Sequence, residues 1–342
     1  MSRIKKILLF LVLLLVVAAG ATFYLWRGVA LPYRGFTGEQ FVVIDTGSSV
    51  SGIGQALANA GVVRDLRSFQ LAARLTGAER RMQAGEYRFD DAATALEVVN
   101  RIARGDVYTR PITFPEGRTA AEMAAIFAER TAGGTATFLT ASRDVSRVAA
   151  FDPLARDLEG YLFPSTYLLP RKATAATLVD QMVQSFDKSF DADLRAGATA
   201  VGFTMREAVT MASLVEEEAQ VAAERPMISA VYHNRLKIGM GLQCDATVIY
   251  AMQRAGTWNG NITRADLAMD SPYNTYRYRG LPPGPIANPG RASLEAAVKP
   301  ADVPYLYYVS RNDGSHAFAT TLDEHNRNVQ QYQIQYFRDR RH

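Results

Sequence analysis

The amino-acid sequence predicts an α+β protein with a single N-terminal transmembrane helix, a small α+β module, and a mixed helical domain that contains a short β-element. An apolar run opens the chain, strand and helix patterns alternate after it, and helical patterns dominate the remainder. Because 342 residues exceed what one hydrophobic core usually holds, we expect more than one folded unit. The expected segments are a cytoplasmic tail at 1–6, a transmembrane anchor at 7–26, a linker with the small module at 27–108, and the larger domain at 109–342.

The apolar run extends from Ile7 to Trp26 and contains only two polar side chains. Twenty helical residues extend about 30 Å, which is the thickness of a bilayer core. Because Arg3, Lys5 and Lys6 precede the run, we expect the N-terminus in the cytoplasm and the rest of the chain exported. A cleaved signal peptide that ends near Ala19–Ala21 is the alternative. The run is too long for a signal peptide, so we favour a retained anchor.

The segment after the anchor repeats a pattern of strand, glycine turn and helix. Strand candidates are Phe41–Ile44, Gly85–Phe89 and Arg110–Phe114, and helix candidates cover residues 53–60, 68–75, 95–103 and 120–130. Small α+β units of this kind resemble LysM-like modules, which bind the amide-rich sugars of cell-wall glycan. A plain α+β spacer domain is the alternative.

Charge and cysteine content exclude several classes of function. The net charge is +4, and part of the basic excess lies at each chain end, with Arg338, Arg340 and Arg341 at the C-terminal end. Since no basic stripe interleaved with aromatic residues lies between the ends, we expect no nucleic-acid partner. Cys244 is the only cysteine, so an intramolecular disulfide is excluded. The four histidines show no metal-ligand spacing with it, and we expect no metal site.

The most informative stretch is a predicted helix from Thr204 to Ala223. Thr204 and Glu207 form a capping-box signature, and one stripe of the helix is apolar, with Ala208, Met211, Ala212, Val215, Ala219 and Ala222. Three glutamates stand at its far end. Glu218 has aliphatic neighbours at helical spacing, whereas Glu216 has a wetter setting. We therefore expect burial to raise the pKa of Glu218 toward that of a general acid. A solvated helix end is the alternative.

Other stretches indicate loops and shorter elements. Residues 159–167 suit a loop that lines a groove, although an alternating strand is the alternative. Proline and glycine are dense at 280–290, which indicates an extended loop of fixed shape. Further helices are expected at 178–190, Pro226–Gly239, Val248–Ala255 and Asn326–Phe337. Asp245 is a candidate cap for the third of these. A hairpin is expected between Tyr305–Val309 and Gly314–Phe318.

Several motifs occur in a fixed order: ASLVEEEA at 212–219, Asn234-Arg235-Leu236 with Gly239-Met240, Leu242-Gln243-x-Asp245-x-Thr247-Val248-x-Tyr250, SPYNTY at 271–276, GLPPGPIANPG at 280–290, and Tyr305-Leu306-Tyr307 with His316-x-Phe318. Together they resemble the endolytic murein transglycosylase family (MltG, YceG-like), and the likeness covers nearly the whole chain. The resemblance implies that residues 109–342 form the catalytic domain and that Glu218 is its acid/base. Three departures stand out: Glu217 in place of a common Lys, Cys244 and Ala246 in place of common Thr and Pro, and Ser165 in place of a common Asp.

The resemblance also implies an activity and a location. The expected reaction is cleavage of the MurNAc–GlcNAc bond within nascent peptidoglycan glycan strands, without a metal or organic cofactor, to give 1,6-anhydroMurNAc ends. Cell-wall synthases are expected partners, and the expected location is the bacterial inner membrane with the catalytic domain outside the cytoplasm. Candidate substrate-binding residues are Asn234, Arg235, Gln243, Asp245, Tyr250, Tyr273, Asn274, Thr275 and Tyr276, for each of which a cap, turn or core role is the alternative.

Two alternatives of a different class remain open from the sequence. One is a non-catalytic, membrane-anchored scaffold that holds glycan near the cell-wall synthesis machinery. The other is a hydrolytic muramidase, which would use a second carboxylate such as Glu216 or Asp245 and would consume one water.

Overall fold

The structure is a computed structural model that describes residues 3–171 and 173–339, without the side chains of residues 3, 4, 6 and 339. The expected tail residues 1 and 2, the side chains of Arg3 and Lys6, and the basic residues Arg340 and Arg341 lie outside this description. The chain divides into two compact units, Met1–Pro111 with Leu168–Ala173, and Ile112–Tyr167 with Thr174–His342. The fold is mixed α+β with small two-stranded sheets, as predicted. The functional division of the chain at residues 108 and 109 stays a prediction.

The first helix, α1 (Arg3–Ala30), is long and apolar enough to cross a membrane, by length and composition, over Ile7–Ala30. Its large apolar side chains from Ile7 to Trp26 are exposed. The predicted anchor ended at Trp26, but the helix continues for one more turn. Val29 in that turn is 5% exposed and belongs to the hydrophobic core of the first unit. The last turn of α1 is therefore part of a folded core.

The first unit pairs one antiparallel ribbon with three helices. Its elements are β1 (Gln40–Ile44), α2 (Val50–Asn59), α3 (Leu66–Leu75), β2 (Gly85–Phe89) and α4 (Ala95–Arg104), and β1 pairs with β2 from Gln40 opposite Phe89 to Ile44 opposite Gly85. The predicted strands and helices are confirmed in type and within a few residues in extent. Below them, the core is formed by fully buried side chains that include Leu57, Phe69, Tyr87, Val99 and Ile102.

The second unit is mainly helical. Its elements are α5 (Ala120–Arg130), α6 (Thr135–Ala141), α7 (Ala175–Ser189), α8 (Ala192–Ala200), α9 (Met205–Glu218), α10 (Arg225–Lys237), α11 (Asp245–Ala255), α12 (Arg291–Val298), β5 (Tyr307–Ser310), β6 (His316–Ala319), α13 (Leu322–Val329), a π-helical turn (Gln330–Gln335) and α14 (Tyr336–Asp339). The strands β3 (Thr109–Thr113) and β4 (Thr166–Pro170) form a further two-stranded sheet. The boundaries between the two units fall within these strands, after Pro111 and after Tyr167.

Three boundaries in the second unit differ from the predictions. Helix α11 begins at Asp245 rather than Val248, so Asp245 lies in its first turn, where a carboxylate favours the helix dipole, instead of at the N-cap. The hairpin strands begin two residues later than predicted and pair Tyr307 with Ala319. The last helix begins at Leu322 because Thr321 and Glu324 form a capping box that the sequence reading missed.

Helix α9 lies at the centre of the second unit and contacts α8, α10, α11 and α12. All residues from Ala208 to Val215 are buried, so the helix is buried on every side rather than along one apolar stripe. Its polar members serve the fold: the hydroxyl of Ser213 accepts a 3.1 Å hydrogen bond from the backbone N–H of Ile286 in the Pro/Gly-rich loop. This contact fixes that loop against the helix.

The segment 159–167 is a turn up to Ser165, after which β4 begins. Gly160 has a left-handed φ of 85°, and a Cβ there would lie 2.4 Å from Cγ of Pro285, so only glycine permits this close approach. Tyr161 is 1% exposed and packs in the core instead of lining a groove. Glu159, by contrast, borders a cavity.

Glu159 is a buried carboxyl that joins four parts of the second unit. Its Oε1 accepts 2.8 Å hydrogen bonds from the backbone N–H of Ala120 and from Nδ2 of Asn288, and its Oε2 accepts a 3.2 Å bond from the hydroxyl of Tyr250. Asn288 in turn accepts a 2.9 Å bond from the N–H of Leu162. Burial raises the pKa of Glu159 from 4.5 to about 8.

Replacement of Thr204 by Ala removes the N-cap of α9, where the Thr204 hydroxyl accepts from the N–H of Glu207 and the Glu207 carboxylate accepts from the N–H of Thr204. We expect the free energy of unfolding to fall by about 1 kcal/mol, the usual cost of losing such a cap. Urea unfolding measures this. The Thr204→Ser variant keeps the hydroxyl and is the control, so an equal loss in both variants would contradict the assignment.

Replacement of Glu159 by Gln removes a group that titrates differently in the folded and unfolded chain. Between pH 4.5 and about 8 the unfolded chain loses this proton while the folded chain keeps it. The free energy of unfolding of the wild type therefore falls as pH rises, by up to about 1.4 kcal/mol per pH unit. Consequently, Glu159→Gln should gain stability relative to the wild type between pH 5 and pH 8.

Urea unfolding at the two pH values, in detergent, measures that gain. Glu129→Gln, on the exposed side of α5, controls for the general effect of removing a carboxylate. A stability difference between Glu159→Gln and the wild type that is the same at both pH values would show that Glu159 titrates normally.

Candidate active site

The three consecutive glutamates lie in the last turn of α9, which begins at the predicted capping box and ends at Glu218. The predicted extension to Ala223 is wrong, because Ala219 adopts an extended conformation and the chain turns toward α10. Pro226 lies in the first turn of α10, and its ring would clash with the carbonyl of residue 222 in a continuous helix. The glutamates therefore stand at a helix C-terminus, where the helix dipole disfavours negative charge.

Glu216 is held in an ion pair. Its Oε1 lies 3.2 Å from Nη2 of Arg225, and its Oε2 accepts a 2.9 Å hydrogen bond from the N–H of Gly290. The side chain is 6% exposed, so the wetter setting expected for it is wrong. Both carboxylate oxygens are engaged, and Glu216 fastens the Pro/Gly-rich loop and the start of α10 to α9.

Glu217 is the most exposed of the three glutamates. Desolvation raises its pKa to about 7, with smaller contributions from the neighbouring carboxylates of Glu122, Glu216 and Glu218. It borders a cavity of about 120 Å³ whose other lining residues include Arg118, Thr119, Tyr250 and Gln253. Glu217 thus faces a different side of the helix end from Glu216.

Glu218 is half-buried and lies among a thiol and several hydroxyl groups. Its Oε1 accepts a 3.2 Å hydrogen bond from Sγ of Cys244. Burial raises its pKa, the bonds from Cys244 and Tyr308 lower it, the charge of Asp245 raises it, and His316 lowers it. The upward direction agrees with the expectation from the sequence. The polar neighbours differ from the aliphatic ones expected, because they come from segments distant in the chain.

Three segments bring these groups to Glu218. Cys244 and Asp245 lie at the start of α11, Tyr308 lies on β5, and His316 lies on β6. His316 is itself fixed, since Nδ1 lies 2.7 Å from Oε2 of Glu224 and its backbone N–H donates to the same carboxylate at 3.0 Å. The hairpin is therefore attached to the segment that directly follows α9.

Arg235 connects two of these segments. Its Nε donates to the carbonyl of Leu306 at 2.7 Å, and its Nη1 donates to the carbonyl of Leu242 at 2.6 Å. Leu306 precedes β5 and Leu242 precedes Cys244, so the guanidinium fixes the spacing between the strand that carries Tyr308 and the loop that carries Cys244. The residue is 7% exposed.

Three of the predicted substrate-binding residues lie near Glu218. The hydroxyl of Tyr276 donates a 2.5 Å hydrogen bond to Oδ1 of Asp245, and the charge of Glu218 raises the pKa of Tyr276. Gln243 is exposed, and its left-handed φ of 52° presents it at the turn before Cys244. Asp245 and Tyr276 thus interact with Glu218 through their charges, Gln243 directly precedes Cys244 in the chain, and glycan contact by these residues stays a prediction.

Four other predicted residues are engaged within the protein. Asn234 donates to the carbonyls of Val303 and Tyr305, and Arg235 donates as described above. Asn274 is 0% exposed and Thr275 is 2% exposed. Thr275 accepts from the N–H of Cys244 at 3.0 Å, which fixes the loop beside Glu218. Their role in glycan contact also stays a prediction, and the contacts observed are structural.

Tyr250 and Tyr273 belong to a separate cluster. Their rings make an edge contact with centroids 5.0 Å apart, and Arg254 lies over both rings. Tyr250 borders a cavity of about 270 Å³ together with Glu159 and Arg254. The structure thus divides the predicted residues between the surroundings of Glu218 and this second region.

The sequence reading did not select Tyr232, Tyr308, His316 or Glu224 as site residues. Tyr232 stood in a helical apolar pattern and Tyr308 in a tyrosine-rich strand, and such patterns also fit core residues. His316 belonged to a recognised motif, which was the one available signal. In residues 3–171 and 173–339, no group of three or more His, Cys, Asp or Glu side chains is arranged to hold a metal ion.

Several curated proteins are similar to this chain in sequence. The chain is 34% identical over 308 residues to a protein of Bacillus subtilis (strain 168) named endolytic murein transglycosylase, with 84% of this chain and 83% of that protein covered. It is 28% identical over 368 aligned residues to a protein of the same name from Streptococcus pneumoniae serotype 2, and the match covers 97% of this chain but 66% of that protein.

The fold is shared as well. A crystal structure of a yceG-like protein from Listeria monocytogenes superimposes with a TM-score of 0.59 at 31% sequence identity, over 85% of this chain and 99% of that one. The model of the YceG-like family matches residues 42–331. The match includes both compact units and every segment that surrounds Glu218, and the chain belongs to the YceG-like family.

Proposed function

We propose that this protein is an endolytic lytic transglycosylase that cleaves the MurNAc–GlcNAc bond within peptidoglycan strands, with Glu218 as the general acid and base. The observation that carries the proposal is the position of the Glu218 carboxyl at the end of a buried helix, where burial raises its pKa. The names of the curated relatives support the reaction class.

The reaction needs a proton donor that later accepts a proton. Protonated Glu218 would donate to the glycosidic oxygen as the bond between that oxygen and C1 of MurNAc breaks. The resulting carboxylate would take the proton from the C6 hydroxyl of the same sugar, whose oxygen then bonds to C1. The product carries a 1,6-anhydro ring, no water is consumed, and Glu218 regains its proton.

A single carboxyl is sufficient because the substrate supplies the nucleophile, whereas a hydrolytic glycosidase needs a second carboxylate. The occupancy of the neighbouring carboxylates supports this assignment. Glu216 is paired with Arg225 and Gly290, and Asp245 accepts a 2.5 Å bond from Tyr276. Glu218 bonds to the thiol of Cys244 and to the hydroxyl of Tyr308, and the thiol is the weakest donor among the partners of these three carboxyls.

The surroundings of Glu218 favour its neutral, protonated form. Desolvation disfavours the carboxylate, and Asp245 adds a negative charge nearby. A positive charge on His316 opposes both effects, which keeps the carboxylate accessible as an intermediate state. We therefore expect kcat/KM to fall as pH rises above the pKa of Glu218, since the acid form is then lost.

We further propose a location and a glycan-binding role for the first unit. The helix over Ile7–Ala30 would anchor the protein in the inner membrane with its N-terminus in the cytoplasm, as Lys5 and its basic neighbours in the sequence favour. The β1–β2 ribbon with its helices would act as a LysM-like module that holds nascent glycan. Association with cell-wall synthases would follow from action on newly made strands.

Replacement of Glu218 by Gln removes the transferable proton at almost constant volume. We expect at least a 10³-fold loss of 1,6-anhydro ends from purified peptidoglycan, a factor in the range of one general acid. Mass spectrometry of the released ends measures this. Glu217→Gln, one residue earlier on the same helix end, is the matched control and should keep most of the activity.

The products separate the alternatives. Anhydro ends made by Glu218→Gln at the wild-type rate would contradict the role of Glu218. Reducing ends heavier by the mass of one water, about 18 Da, would indicate the hydrolytic route. Glycan binding without new chain ends, in the wild type, would indicate a scaffold.

Removal of residues 1–26 should release the protein from membranes, because the removed large apolar side chains are exposed and lie outside the hydrophobic core of the first unit. The truncated chain keeps Val29 and its core contacts. Fractionation after an alkaline wash is the measurement, with the full chain in the membrane fraction and the truncated chain in the soluble one. Release of the full chain by the wash would contradict a transmembrane anchor.

A further inference from the structure

A closed group of hydrogen-bonding side chains lies beside Glu218, and the proton transfers described above make no use of it. The hydroxyls of Tyr232 and Tyr308 are 2.8 Å apart, and Sγ of Cys244 is 3.2 Å from Oε1 of Glu218. Tyr232 also bonds to the thiol, and Tyr308 bonds to the carboxyl. Tyr232, Tyr308 and Cys244, here named the thiol–tyrosine group, thus lie together against Glu218.

We propose that the thiol–tyrosine group positions Glu218, with the Cys244 thiol donating to Oε1 so that Oε2 carries the proton that is transferred to the glycan. The proposal rests on the acid/base role given to Glu218 above. Cys244 is therefore a positioning residue, because it acts on the reacting sugar only through Glu218.

The count of hydrogens supports the assignment of the two oxygens. A neutral carboxyl has one O–H, and its other oxygen is an acceptor. Cys244 is 1% exposed, and burial raises the pKa of its thiol well above the ordinary value, so the S–H persists as a donor. Because Oε1 accepts that S–H, the proton of the acid belongs on Oε2.

The position of Cys244 in the fold also favours this role over simple packing. Cys244 occupies the N-cap of α11, where Ser, Thr, Asp and Asn usually accept from the helix N–H groups. In the described part of the chain its side chain makes no such cap bond, and the sulfur is directed at Glu218 instead. Its backbone is fixed by Thr275, whose hydroxyl accepts from the Cys244 N–H.

The rigidity of the group comes from three elements that are themselves connected. Tyr232 is on α10, which packs against α9, and Tyr308 is on β5. The ring of Tyr232 and the thiol are buried, the ring of Tyr308 is half-buried, and Arg235 fixes the spacing between the strand and the Cys244 loop. A carboxyl held at one oxygen by such a frame loses rotational freedom before the substrate arrives, which is what orientation requires.

The groups that face Glu218 set the expected pH effect. Burial raises the pKa of Glu218, the bonds from Cys244 and Tyr308 and the charge of His316 lower it, and the charge of Asp245 raises it. Glu217, whose own pKa is raised to about 7, stands beside it on the same helix end. Tyr276 is also close enough to be affected by the charge of Glu218. Loss of the thiol donor therefore raises the pKa of Glu218, and the alkaline limb of the kcat/KM profile moves to higher pH.

The first test compares Cys244→Ala with Cys244→Ser in the full-length protein on purified glycan strands. Cys244→Ala should lower kcat about three- to tenfold with KM little changed and should move the alkaline limb upward, as expected for one lost hydrogen bond. Cys244→Ser retains a donor and should restore the wild-type limb. Tyr308→Phe should act in the same direction, and the double variant Cys244→Ala with Tyr308→Phe should be non-additive.

An unchanged kcat and limb in Cys244→Ala would overturn the proposal, as would an equal loss in Cys244→Ser, since packing alone explains that result. A combined effect equal to the sum of the single ones would overturn the cooperation with Tyr308. None of these outcomes touches the role of Glu218, which the Glu218→Gln variant tests separately.

The second test does not depend on activity. Cys244 is the only cysteine, so the infrared S–H stretching band of the protein belongs to it alone. The band should lie at the position of a hydrogen-bonded thiol and should move toward that of a free thiol in Glu218→Ala. A band that is unaffected by Glu218→Ala would overturn the thiol–carboxyl contact, even if Glu218 proves to be the catalytic acid.

Discussion

The carboxyl of Glu218 loses much of its contact with water because four separate segments close around the end of α9. The start of α11, the two strands of the C-terminal hairpin and the body of α10 each contribute a side chain to its surroundings. Desolvation of a carboxyl disfavours its charged form, and the helix C-terminus adds to that effect. A raised pKa of Glu218, which favours its role as a proton donor, is the chemical consequence of this packing.

Other buried polar contacts in the second unit hold these segments in position around Glu218. Arg235 connects the Cys244 loop to β5, while Glu216 and Arg225 fix the start of α10 and the Pro/Gly-rich loop to α9. Glu159 ties that loop to α5 and α11 through Asn288 and Tyr250. These buried polar groups are hydrogen-bonded, which is the condition under which they are tolerated in a core. Glu216 and Glu159 therefore hold segments of the fold together, whereas Glu218 is the carboxyl to which we assign proton exchange.

Local sequence signals predicted local structure well. The capping box of Thr204 and Glu207, the β1 and β2 strands, and helix α4 were predictable, because each depends on residues within a few positions of one another. The raised pKa of Glu218 was also foreseen. The end of α9 at Glu218 was not, since it depends on the following turn and on Pro226.

The partners of the carboxylates required tertiary structure. Cys244 is separated from Glu218 by 26 positions, and Tyr308 from Tyr232 by 76. No helical or strand periodicity connects residues so far apart, and buried tyrosines in apolar patterns are ordinary core residues. Likewise, the neighbours of Glu216 on its own helix predicted a solvated side chain. Its actual partners, Arg225 and Gly290, come from other segments.

The most direct test of this account is the titration of the Glu218 carboxyl in the folded protein, by ¹³C NMR of labelled glutamate with Glu218→Gln to assign the resonance. The account predicts a midpoint clearly above the ordinary value of 4.5 for a glutamate, because burial disfavours the charged form. A midpoint at or below 4.5 would contradict it, because Glu218 would then lack the proton that the reaction requires.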